Sequence, residues 1–196
     1  MSCADSRTLF RDEFWLAAAS TAELGVHPSG WRRGTRGEVL LERVTGPLAT
    51  IAEVPVPSVP DRPIRLTVLD VGWDLAHVLG VPSWIGAQVK TAGAVVVVSG
   101  ATIPGLRHLE GTLSLLDPLP AVAAVVGSRR SRRPKAVRRC SGPLTRALDS
   151  NGRLIVIPHD SRLAGAGLDS TPLPPRLLSA AQAVLELTDS ARKQAL

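Results

Sequence analysis

With 196 residues, 44% of them apolar but only 3% aromatic, the chain has the length of one domain and must fill its core with Val, Leu, Ile and Ala rather than rings, a composition suited to a parallel sheet covered by helices. No apolar run approaches the ~20 residues that span a bilayer, and the start MSCADSRTLF has no apolar stretch behind a basic one, so the expectation is a cytoplasmic protein without membrane insertion. The formal charge of +6 is carried in one place: Arg129–Arg139 holds seven basic residues and no acidic one, against 16 basic and 17 acidic residues elsewhere.

In chain order, Leu9 to Leu24 sets Leu9, Phe10, Phe14, Ala17 and Ala18 at helical spacing ahead of Gly25, which predicts an N-terminal helix. His27–Gly37 mixes Pro and Gly with Arg32, Arg33 and Arg36 and reads as a solvated loop. Short strands are expected at Glu38–Val44 and Ala49–Val54. Four prolines make Pro55–Pro63 a connector. Beyond it, Ile64–Leu69, Ala94–Ser99, Ala121–Val126 and Leu154–Ile157 are short β-branched runs, as in strands buried on both faces. Between and after them lie stretches of helical length at Ser83–Thr91, Gly105–Leu116, Pro134–Asp149 and Pro175–Thr188. This alternation predicts an α/β fold, three-layer and doubly wound on a mostly parallel sheet. Residues 1–37 are then an N-terminal helix and basic loop of the same domain, 38–188 its α/β body and 189–196 a frayed tail.

Ligands of open α/β sheets bind beyond the carboxyl ends of the strands, which places the chemistry at Asp70–Asp74, Ser99–Thr102, Gly127–Arg129 and Pro158–Asp160, four turns expected to converge. Asp70 closing an apolar strand, with Gly72 two residues on, is a pattern that holds a magnesium-bound water beside a nucleotide phosphate; it equally describes an Asp capping a turn that Gly72 completes. Asp74 and His77 lack a third ligand nearby, and His159 with Asp160 also suits a plain polar turn. Cys3 and Cys140 have no metal-ligand spacing, which argues against a disulfide or zinc site.

The order VLDVGWD, AVVVVSGATIPGLRHLEGTLSLL, AVAAVVGS, RLIVIPHDSRLAGAGLD and PLPPRLLSAAQAVLEL resembles the C-terminal two-thirds of MinD/ParA-type P-loop ATPases, over Ile64 to Leu187. The resemblance implies a P-loop NTPase-like fold, with Asp70 and Gly72 at the switch turn and Pro158, His159 and Asp160 beside the adenine pocket. It departs from the family at two points. None of the three lysines, Lys90, Lys135 and Lys193, lies in a Gly-rich phosphate loop, and Gly127 stands where a base-contacting Asn is expected. The expectation is therefore a degenerate, binding member rather than a self-sufficient enzyme, with ATP and magnesium required only under the alternative of a nucleotide switch. A third reading is an interaction module without a ligand.

The basic segment reads SRRSRRPKAVRR. Arg129, Arg130, Arg132 and Arg133 fall in the loop after a strand, and Lys135, Arg138 and Arg139 share one face of the helix that Pro134 opens. Such a run is either a solvated surface or an anion site. Its natural functional partner is a nucleic-acid backbone, because Arg forks pair with phosphates and no aromatic residue here stacks on bases. Members of the resembled family bind DNA non-specifically through basic surfaces, so the partners implied are nucleic acid or an active ParA-like ATPase, in a homo- or heterodimer.

Overall fold

The computed structural model describes residues 22–26, 30–36, 39–44, 46–60, 63–167 and 171–194. By their internal contacts they fall into two compact units. One is drawn from the chain up to Trp84 together with Arg162–Thr171, the other from Ile85–Ser161 with Pro172–Leu196.

The first unit is built on an antiparallel sheet in the order β1 (Ala22–Val26), β2 (Trp31–Arg36), β3 (Val39–Val44). Of the helix expected over Leu9–Leu24, residues 9–21 lie outside the described residues and Ala22–Leu24 belong to β1. Of the loop expected at His27–Gly37, residues 27–29 and 37 lie outside the described residues, and Trp31–Arg36 form the strand β2, laddered to β1 and β3. Arg33 stands opposite Glu42 in the β2–β3 ladder and pairs with its Oε1, while Arg33 Nη2 donates to Ser58 Oγ at 2.6 Å. Indole N–H groups hold the following connector: Trp31 Nε1 donates to Pro55 O at 3.1 Å and Trp84 Nε1 to Val54 O at 2.8 Å.

Two strands expected in this unit do not form. Ala49–Val54 contains a 3-10 turn at Ile51–Glu53, closed by the Glu53 carboxylate accepting from Ala49 N at 2.8 Å, with Ile51 fully buried. Ile64–Leu69 joins neither sheet, and Val68 is 77% exposed. A β-branched run is a strand only when a neighbour takes up its backbone groups. The helix α1 (Leu75–Gly80) follows, capped by Asp74 Oδ1 accepting from Ala76 N at 2.9 Å.

The second unit carries a parallel sheet in the order β4 (Val95–Gly100), β5 (Ala121–Val126), β6 (Leu154–Ile157). The helix α2 (Trp84–Thr91) precedes it, α3 (Ile103–Leu116) joins β4 to β5, and α4 (Lys135–Arg139) with α5 (Pro143–Ser150) joins β5 to β6. The short α6 (Ser161–Ala166) falls from Arg162 onward in the first unit, and the long α7 (Pro175–Gln194) ends the described chain. Mixed α/β architecture with a three-stranded parallel sheet is thus established. With α3 packed on β4 and α5, and α7 on β5 and β6, β5 is enclosed: Val122, Ala123 and Val125 have no exposed surface.

Strong local signals explain the accurate elements here. Leu106, Leu109, Leu113 and Leu116 form the buried stripe of α3, and Thr102 Oγ1 caps it by accepting from Gly105 N at 3.1 Å. Gly105 must be glycine, because a Cβ there would lie 2.3 Å from Gly100 O. The single helix expected over Pro134–Asp149 is two, since Pro143 forces the preceding residue out of the helical region and Gly142 is extended, at φ −76° and ψ −179°. The tail expected to fray from Asp189 continues α7 to Gln194, with Ala191 buried. Among the described residues, no helix is long and apolar enough to cross a membrane.

Gly127 has φ +144°, and a Cβ on it would meet Ala101 Cβ at 2.6 Å; Gly152, at φ +69°, has nothing within 4 Å. Gly127→Ala should therefore destabilise the chain by about 2 kcal/mol or more, and Gly152→Ala by only about 1 kcal/mol, as read from urea midpoints at constant slope. Equal losses would contradict the tight approach at Gly127.

Candidate functional site

Three of the four turns expected to converge do so. Ser99–Thr102, Gly127–Arg129 and Pro158–Asp160 follow neighbouring parallel strands and share the carboxyl edge of the sheet. Gly127 N donates to Ile157 O at 2.9 Å, and Ala101 N to Val126 O at 2.8 Å, so the ladder runs on to the point where the arginine loop departs. The fourth turn, Asp70–Asp74, belongs to the other unit and follows an exposed irregular segment instead of a strand. Asp70 there faces Arg43, whose guanidinium is shifted down by burial and back up by that carboxylate. Gly72 does not adopt a left-handed conformation and has open space around it.

His159 is exposed, whereas Asp160 is 10% exposed and receives Arg176 Nη2 from the start of α7 at 2.9 Å. Asp160 thereby ties the last helix to the strand end. Among the described residues, no group of three or more His, Cys, Asp and Glu side chains is placed to hold a metal ion.

The basic segment divides by burial. After Gly127 the chain passes through a 3-10 turn at Arg130–Arg132, closed by Arg132 N donating to Arg129 O at 2.9 Å, and enters α4 behind Pro134. Arg129, Arg132, Lys135, Arg138 and Arg139 are exposed, and no carboxylate among the described residues pairs with them. Arg130 is exposed too, but pairs with Asp149 of α5. Arg133 is only 7% exposed, and its Nε donates to Ser128 O at 2.8 Å. One loop thus presents both a solvated cationic surface and an inward-turned guanidinium.

Sequence reasoning missed the residue that sets the position of α5. Glu110, on α3, accepts from Leu144 N at 2.7 Å, from Thr145 N at 2.9 Å and from Thr145 Oγ1 at 2.7 Å. A carboxylate from another helix therefore fills the N-terminus of α5, where amide groups and helix dipole favour negative charge. Burial opposes ionisation of Glu110, but the Thr145 hydroxyl, the amides of Thr145 and Leu144 and the charge of Arg146 outweigh it and hold the carboxyl below its usual range. Gly142 makes room for this carboxylate, since a Cβ there would meet Glu110 Cδ at 2.2 Å. The only local signal was the Gly-Pro start of α5; the partner lies more than 30 residues away.

Compared with protein-family models, curated proteins and solved structures, the chain matches none.

A carboxyl whose folded pKa is depressed contributes stability above its unfolded pKa and loses it as pH falls through the folded value. Wild type should lose stability as pH drops below the usual Glu value of about 4.5, and Glu110→Gln should lack that component. At pH 7, Glu110→Ala should cost about 0.5–2 kcal/mol, the range for a lost helix cap. Parallel stability–pH curves for wild type and Glu110→Gln between pH 3 and 6, an interval of about three pH units around the transition, would remove Glu110 from this role.

Proposed function

We propose that this chain acts by binding, as a degenerate MinD/ParA-like domain that engages the phosphate backbone of DNA through Arg129, Arg132, Lys135, Arg138 and Arg139. One observation carries the reading: five exposed cationic side chains without carboxylate partners among the described residues, gathered where the chain leaves β5. Exposed arginines release counterions when they meet phosphates and so bind without reading sequence. The parallel sheet with its helices supports a doubly wound, P-loop-like arrangement in this reading. The same surface suits a regulatory or partitioning role beside an active ParA-like ATPase, with DNA as the shared track.

The roles first considered for Asp70, Gly72, His159 and Asp160 in holding nucleotide and magnesium recede within this reading. Asp160 is engaged by Arg176, and Asp70 lies in a segment outside the parallel sheet.

Log affinity for duplex DNA should fall linearly with log salt, by about 0.9 for each phosphate neutralised. Replacing Arg129, Arg132, Arg138 and Arg139 together by Ala should flatten that slope by up to about 3.6 and weaken binding equally for unrelated sequences. An unchanged slope in fluorescence-anisotropy titrations rejects this surface as the DNA contact.

A further inference from the structure

Between the arginine loop, α5 and β6 is a cavity of about 60 Å³ lined by Arg130 and Arg133 of the loop, Ser141, Thr145, Arg146 and Asp149 at α5, and Leu154 and Val156 of β6. Three arginines and one aspartate thus line it, and the carboxylate of Glu110, on the far side of Thr145, also feels the charge of Arg146. Arg130 is committed to Asp149, and Arg146 Nη1 donates to Ser141 O. Arg133 is held by the bond from its Nε to Ser128 O, so its guanidinium cannot turn away without losing that partner. Its Nη2 is buried and has no hydrogen-bond partner. A charged donor enclosed in this way is costly unless an acceptor completes it.

Size and charge define what fits. The cavity exceeds by several-fold the roughly 10–15 Å³ that one water requires, yet falls far below the roughly 300 Å³ at which pockets begin to enclose organic ligands. A single tetrahedral oxyanion is of this scale, and guanidinium forks match its oxygens. Burial lowers the proton affinity of Arg133, Asp149 opposes the effect and Arg130 adds to it.

We propose that this cavity is a binding site for one phosphate group, held by Arg133 with Arg130 and Arg146. The ligand is either free inorganic phosphate or the terminal phosphate of a monoester whose remainder stays outside. The site stands independently of the DNA surface, which uses the exposed neighbours of these residues.

The test is titration of the full chain with inorganic phosphate against chloride at matched ionic strength, followed by calorimetry and by thermal unfolding. Saturable binding and a rising Tm are expected, because a ligand of the native state alone stabilises it by mass action. Arg133→Met should abolish the phosphate-dependent rise, Arg146→Gln should weaken binding about tenfold or more, and replacing an exposed arginine outside both sites, Arg65→Met, should leave binding as in wild type. Glycerol 3-phosphate separates the two sources. Binding comparable to inorganic phosphate assigns the site to monoesters, and failure to bind assigns it to the free ion. A phosphate effect no larger than that of chloride overturns the proposal, as does full binding by Arg133→Met. Should that variant not fold, unchanged affinity in Arg146→Gln overturns it instead. DNA affinity of the quadruple Ala variant is a separate reading, so either site can fail while the other stands.

Discussion

The carboxylate of Glu110 takes two amides and a hydroxyl from the first turn of α5, and the whole arginine side of the parallel sheet depends on that contact. The helix so anchored carries Arg146 and Asp149, and Asp149 in turn holds Arg130 of the loop after β5. Position therefore passes from α3 to α5 and from α5 to the loop through polar contacts, while the leucine stripe of α3 is fixed by burial. Helix termini leave amides that must be paired, and a carboxylate from a packed neighbour pairs them and favours the dipole at once. Gly142 belongs to the same device, because its missing side chain is the space the carboxylate occupies.

Two arginine-rich stretches show why charge runs cannot be interpreted from composition. In β2, Arg33 meets Glu42 across the ladder and Ser58 from the connector, so its charge is spent on the first unit's own structure. In the loop after β5, no carboxylate among the described residues pairs with Arg129 or Arg132, and those charges remain available to a partner. The difference is one of opposition in space. Strand pairing places Glu42 against Arg33 although nine residues separate them in the chain.

Within the second run, burial makes a further division. Arg133 is buried and Arg132 exposed, although they are adjacent at the end of the 3-10 turn Arg130–Arg132. Surface arginines with free forks suit long polyanions met at high dielectric, whereas an enclosed guanidinium suits one compact anion. Chain neighbours thus serve two different anion chemistries.

The sequence by itself determined the parallel sheet and its main helix. The runs at Ala94–Ser99, Ala121–Val126 and Leu154–Ile157 and the stripe of Leu106, Leu109, Leu113 and Leu116 are local patterns that the packing of the second unit confirms. It also located the basic segment and, through Pro134, the start of the helix behind it. Tertiary structure alone decided the rest. Ile64–Leu69 has the composition of a strand but joins neither sheet, and Trp31–Arg36 of the loop expected at His27–Gly37 became a strand because Val39–Val44 offered a ladder. Asp70, and with it one corner of the expected site, left the strand edge for the same reason. The pairing of Glu110 with α5 and of Asp149 with Arg130, and the burial of Arg133 among exposed arginines, have no local signature. Each is a contact between residues distant in the chain or a consequence of packing, and periodicity reports neither.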